Sequence, residues 1–135
     1  MSSEANTQIV QKAYADFSRG DVPAILAILD PNVEWVVPGD LPDSGTFRGP
    51  AEVLKFFQAV GQTWTFTVFN PSEFVASGDK VVAIGNYAAT SNATGASVAA
   101  DWVMVWTFRN AMVTRFQEYT DTLATHYAIT SRAAA

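Results

Sequence analysis

In the stretch RFQEYTD, Glu118 shares strand parity with Phe116 and so faces inward, where a carboxylate is costly unless it has a partner or a task. A desolvated glutamate has a raised pKa and works as a general acid or base near neutrality; a nearby Arg, Asn or Tyr would instead satisfy it structurally. Tyr14 and Tyr87 carry phenols able to donate to a ligand carbonyl or to a nearby backbone group. Glu118 as proton carrier and Tyr14 as the group that orients a ligand oxygen make up the candidate catalytic pair. Around them, Trp35, Trp64, Trp102 and Trp106 with Phe17, Phe56 and Phe57 supply flat apolar surfaces, suited either to core packing or to the walls of a pocket for a polycyclic, aromatic or terpenoid molecule. Trp35, Trp102 and Phe57 lead that set of ligand-contacting candidates, which also takes in Phe17, Val37, Met104, Trp106 and Phe116.

The remaining polar residues read as structural. Asp101 has the parity of Val103 and Val105, which sends it to the outer sheet face. Asp121 serves in pairing or as a helix cap, and His126 follows the last strand as a surface residue. Asp40 and Asp43 sit in a loop placed to act as a lid, where turn chemistry suffices to explain them.

Other chemistry is excluded by what is missing. The chain has no cysteine, which removes disulfides, thiolate metal sites and a Cys nucleophile, and its single histidine cannot build a multi-histidine metal cage. There is no Gly-rich phosphate loop, Ser-His-Asp arrangement or metal-ligand spacing, so neither cofactor nor metal is expected. Eight basic against thirteen acidic residues give a net charge of −5, with the basic ones scattered, which argues against nucleic acid and anionic membranes as partners. No apolar run approaches the roughly 18 residues of a membrane span, and the N-terminal MSSEANTQ lacks a signal segment, so a soluble, cytoplasmic protein is expected.

The elements that must position these residues run helices first and strands afterwards. Ser3 caps a helix from Glu4 to Arg19 whose Ile9, Val10, Ala13, Tyr14 and Phe17 share one face, and Gly20 stops it. Asp21, Pro23 and Pro31 box a short buried helix around Ala24 to Leu29. Val33 to Val37 reads as a strand, PGDLPDSG as a loop, and Pro50 opens a third helix with Val53, Leu54, Phe57 and Val60 on its stripe. From Trp64 the period becomes two, through WTFTVF, SEFVAS, KVVAIGNYAATS, SVAADWVMVWTF and MVTRFQEYTD, with turns at Asn70-Pro71, Gly78-Asp79, Asn92 to Gly95 and Arg109 to Ala111. Thr122 to Ala128 adds a last helical turn and Ser131 to Ala135 a frayed tail. The 135 residues, 49% apolar, suit a single α+β domain with its core over about residues 4–128 and helices laid on one face of a curved antiparallel sheet. The strand Asp101 to Phe108 is apolar on both parities, and a second copy of the chain is the simplest cover for its outer face, giving a homodimer.

Arg19-Gly20-Asp21, Glu34-Trp35, Pro38-Gly39, Gly45-Thr46-Phe47-Arg48-Gly49 and Glu118-Tyr119-Thr120-Asp121-Thr122 together resemble the SnoaL-like branch of the nuclear transport factor 2-like superfamily, over about Ile9 to Thr122. The resemblance implies a cone: three helices folded over a strongly curved antiparallel sheet, an apolar pocket between them, and dimers packed through the outer sheet face. It does not fix an activity, because the superfamily hosts isomerases, epoxide hydrolases, polyketide cyclases, dehydratases and inert binding modules. The positions that carry the relatives' chemistry also differ here. Where ketosteroid isomerases place an Asp before the first-strand proline, this chain has Val37; their Tyr falls at Ala13, one residue from Tyr14, and their late-strand acid at Met104. Of the two acids that hold water in limonene-type epoxide hydrolases, Val82 replaces the first and Glu118 matches the second, with Lys80 at the bridging Arg. Met104 also replaces the histidine that many SnoaL-like chains carry. Two functions follow as expectations: a pocket for a small apolar organic ligand in which Glu118 performs cofactor-free isomerisation, cyclisation or hydration, or a non-catalytic ligand carrier or accessory module with the same pocket.

Overall fold

The computed structural model describes residues 2–131 and runs α1 (Ser3–Ser18), α2 (Val22–Leu26), β1 (Leu29–Val37), β2 (Gly45–Arg48), α3 (Gly49–Thr63), β3 (Trp64–Ser77), β4 (Lys80–Ser91), β5 (Ser97–Arg109), β6 (Met112–Thr120) and α4 (Thr122–Thr130). The end of the expected frayed tail, 132–135, lies outside the described residues. Helix α1 buries Val10, Ala13 and Tyr14 at the expected spacing, but its cap is Ser2, whose hydroxyl accepts from the Ala5 N–H at 3.0 Å. At its end the buried Asp16 accepts from Lys12 at 2.9 Å and from Arg19, and Gly20 turns the chain with φ +72°. Asp21 caps α2 as expected, through its carboxylate and the Ala24 N–H at 3.2 Å. That helix ends at Leu26, however, and Leu29 already begins β1.

The six strands form one curved, unclosed sheet in the order β2-β1-β6-β5-β4-β3. One pairing departs from the all-antiparallel expectation: β1 and β6 run parallel. The reason is the path of the chain. After the β1–β2 hairpin, α3 carries it to the far edge, and the β3-β4-β5-β6 meander returns it beside β1 in the same direction. On the outer face Glu34 stitches this edge together, accepting from Arg48 at 2.8 Å and from Arg115 at 3.1 Å.

The expected break at Asn70-Pro71 is not a turn. WTFTVF and SEFVAS are one strand, β3, interrupted by register shifts at Phe66/Val68 and Pro71/Glu73. Each bulge adds a residue and resets the parity, so that Phe66, Phe69 and Phe74 all face the helices although their spacing is not even. The other expected turns are present, and the β5–β6 turn places both Asn110 (φ +52°) and Ala111 (φ +66°) in the left-handed region. On β5, Trp102, Met104, Trp106 and Phe108 are buried under the helices, while Val103 and Val105 are half-buried on the outer face and Asp101 is exposed. Helix α4, capped by Asp121 on the Ala124 N–H at 3.0 Å, is the fuller form of the expected last turn. Among the described residues no helix is long and apolar enough to cross a membrane.

Gly85 on β4 sits opposite Trp102 in the β4–β5 register. A Cβ there would overlap both the Trp102 ring and the Asn70 carbonyl oxygen, so this glycine is needed for space, not for its backbone angles. Gly85→Ala is expected to destabilise the fold by about 2 kcal/mol through overpacking, read by urea unfolding; a change within about 0.5 kcal/mol would show that the indole has room to move.

Candidate functional site

Between the helices and the inner sheet face lies an open-mouthed cavity of about 100 Å³, room for several waters at roughly 10–15 Å³ each. Its walls are mostly aromatic. Trp35 lies flat on its register partner Phe116, with ring centroids 3.8 Å apart and planes 13° from parallel, and the Trp106 edge meets Phe116 at 4.9 Å. Phe17 and Phe57 approach to 6.1 Å from α1 and α3. Rings braced against rings keep their rotamers, and the space between them is not filled.

Of the sequence candidates, Tyr14, Phe17, Trp35, Val37, Phe57, Met104, Trp106, Phe116 and Glu118 all line this cavity. Trp102 does not. Its indole lies in the space left by Gly85 and stacks on Tyr14 at 5.5 Å and on Phe69 at 5.3 Å, where it is 1% exposed and belongs to the packed core. The Tyr14 hydroxyl donates to Met104 Sδ and accepts from Trp106 Nε1, both at 3.0 Å. Thioether sulfur is a weak acceptor, so the phenol proton is held lightly. Burial raises the Tyr14 pKa, against the Trp106 hydrogen bond, and the Glu118 charge raises it further.

Glu118 points inward from β6, opposite Met104 on β5, as its parity requires. Burial lifts its pKa from 4.5 to about 7, with the negative charge of Asp43 as the second cause. That partner is the residue sequence reasoning missed. Asp43 is 7% exposed, lines the same cavity, and its Oδ1 has no hydrogen-bond partner. Burial raises its pKa as well, while its own backbone N–H and the Trp64 indole favour the ionised form. The loop that carries it is folded inward around Ser44, whose hydroxyl accepts from the Leu41 N–H at 3.0 Å and donates to the Pro38 carbonyl at 2.9 Å. His126 Nδ1 on α4 lies 3.0 Å from Asp40 Oδ2, tying the loop to the last helix; His126 is otherwise the surface residue expected. Turn chemistry suffices to explain an aspartate in this loop, so the sequence carries no signal that Asp43 faces the interior.

Tyr87 lines the cavity too, its pKa raised to about 12 by burial and then by the Glu118 charge. No lysine, arginine or histidine is among the lining residues, and none is ion-paired with Asp43 or Glu118 among the described residues. The buried Trp35 indole N–H also has no acceptor. The site therefore combines a carboxyl whose pKa is raised to about 7, a second acid without a counter-ion among the described residues, and the Tyr14 hydroxyl, with the partnerless Trp35 N–H on a lining residue.

The Glu118 shift sets a pH dependence of stability. Between pH 4.5 and about 7 the folded protein keeps a proton on Glu118 that the unfolded chain has released, so stability falls as pH rises through that window. Asp16 and Glu34, whose pKa values are lowered by Lys12 and by Arg115 respectively, lose their contribution only in more acid solution. Raising the pH from about 5 to about 8 is expected to cost about 2 kcal/mol, allowing for water in the pocket, and Glu118→Gln to remove most of that slope in denaturant unfolding. An unchanged slope in the variant would contradict the shift.

The sequence matches the SnoaL-like domain family over residues 10–116. Among solved structures, an NTF2-like protein from Burkholderia xenovorans is 36% identical, with 96% of this chain and 98% of that chain covered and a TM-score of 0.88. TerC, co-crystallised with polyporic acid, is 32% identical with a TM-score of 0.82 over 94% of this chain and 99% of its own. The uncharacterised protein Rv0034 of Mycobacterium tuberculosis is 27% identical over 128 residues, 93% of this chain and 96% of that protein. With a family match across most of its length and the same fold as an NTF2-like protein 36% identical to it, the chain belongs to the SnoaL-like family of the NTF2-like superfamily.

Proposed function

We propose that the cavity binds a small aromatic or otherwise apolar organic molecule and that Glu118 moves a proton on it without a cofactor, in an isomerisation, cyclisation or hydration. The observation that carries this reading is an inward acid, Glu118, whose pKa is raised to about 7 by burial and by the neighbouring Asp43 charge, where each protonation state is available for its half of a proton shuttle. In the ionised form Glu118 would take a proton from a carbon next to a ligand carbonyl. The developing enolate oxygen would accept from Tyr14, whose proton turns from the Met104 sulfur while Trp106 continues to donate to the phenol oxygen, and from the partnerless Trp35 N–H. Protonated Glu118 then returns the proton at another carbon. The aromatic walls limit water and so strengthen each of these hydrogen bonds. TerC, co-crystallised with polyporic acid, supports a small organic molecule as the class of occupant.

The test is exchange of the α-protons of 2-tetralone in D2O, followed by proton NMR. The wild-type protein is expected to speed exchange above the buffer rate along a limb with a midpoint near pH 7, and Glu118→Gln to lose about a hundredfold of that enhancement. Saturable binding with no exchange would make the protein a carrier and overturn the catalytic reading.

We also propose that two copies pair through the outer sheet face. Support comes from the register, which sets Val75 beside Val82 beside Val105, and Ile84 beside Val103 beside Tyr119; Val75 and Tyr119 are 58% and 56% exposed in the single chain. Sedimentation equilibrium is expected to give a dimer, and Val105→Lys a folded monomer; a monomeric wild-type protein at about 100 µM would contradict the pairing.

A further inference from the structure

We infer that Asp43 anchors a positively charged nitrogen on the ligand, so that the pocket prefers a cationic aromatic amine or quaternary ammonium compound to a neutral or anionic molecule of the same shape. This rests on reading the cavity as a ligand pocket and adds the charge of its occupant.

Three observations meet here. Asp43 is more than nine-tenths buried against the cavity with Oδ1 lacking any partner, and a buried carboxylate without a counter-ion is costly. Among the described residues there is no such counter-ion: the lining contains a second acid, Glu118, and no basic side chain. The other walls are largely aromatic, among them Trp35, Trp64, Trp106 and Tyr87, and the quadrupole of an aromatic ring attracts a cation to its face and offers an anion nothing there. A ligand ammonium group would supply the missing positive charge and meet those faces, whereas an anion would meet two like charges.

The two acids have different work in this arrangement. Burial raises the pKa of both, but for Asp43 its own backbone N–H and the Trp64 indole oppose the rise, whereas Glu118 has no such donors; Asp43 is therefore the one better placed to meet a cation and Glu118 the one better placed to exchange a proton. The inward fold of the loop around Ser44, tied to α4 by His126 and Asp40, sets Asp43 against the bound molecule. Nothing in the superfamily resemblance supplies an acid at this position, since the isomerase base matches Val37, on the strand before the loop.

The test compares three probes that share a phenethyl-sized body: phenethyltrimethylammonium, its neutral carbon isostere 3,3-dimethylbutylbenzene, and 3-phenylpropanoate. Binding is followed by quenching of intrinsic tryptophan fluorescence. Wild-type protein is expected to bind the cation about tenfold more tightly than the isostere and to bind the anion most weakly. Asp43→Asn should bring cation and isostere within about twofold of each other. The wild-type comparison needs no variant to fold. Equal affinities for cation and isostere, no saturable cation binding below about 10 mM, or a full preference surviving in folded Asp43→Asn would each overturn the inference. Equal but saturable binding leaves the pocket and its proton chemistry standing. Conversely, a charge preference with no tetralone exchange removes the chemistry and leaves the anchor.

Discussion

Ionising a carboxyl group inside an aromatic hollow that contains no positive side chain is unfavourable, and the main features of this protein follow from how that cost is arranged. Two acids, Asp43 and Glu118, share one cavity and raise each other's difficulty, so the local field favours anything that delivers a proton or a positive charge. Elsewhere the same chain neutralises its acids: Asp16 has Lys12 and Arg19, and Glu34 has Arg48 and Arg115. The contrast is informative, because among the described residues four basic side chains are paired with acids away from the pocket and none with the two acids within it.

The hollow persists because its rings are fixed by other rings and by backbone geometry. Two bulges in β3 turn Phe66, Phe69 and Phe74 to one side, Gly85 admits Trp102 deep into the sheet layer, and Trp102 in turn supports Tyr14 from behind. Collapse would need several of these contacts to give way together, which is how a densely aromatic interior can keep a space large enough for a ligand. Tyr14 shows the same economy: its phenol joins β5 to α1 through Met104 and Trp106, and the bond to sulfur is the weaker of the two.

Much of this was legible in the residue order, and the failures have identifiable causes. Parity alone places Glu118 inward and Asp101 outward, because strand side chains alternate whatever the neighbours do. Parity also sends Trp102 inward, correctly, but the step from inward to cavity-lining fails, since the empty volume beside Gly85 depends on a cross-strand register that β5 does not encode by itself. The β3 break at Asn70-Pro71 was misread because a bulge and a turn use the same residue types, and only pairing with β4 tells them apart. The parallel β1–β6 contact is a property of the whole chain path. Asp43 escaped because loops have no period: whether an aspartate there faces water or the interior is decided by how Ser44 folds the loop and how α4 holds it.

The central claim, that a desolvated acid projects into an aromatic hollow, is tested most directly by following the Glu118 side-chain carboxyl carbon by NMR as a function of pH. A midpoint near 7 is the expected result; a midpoint near 4.5, the ordinary value for a glutamate in water, would contradict it.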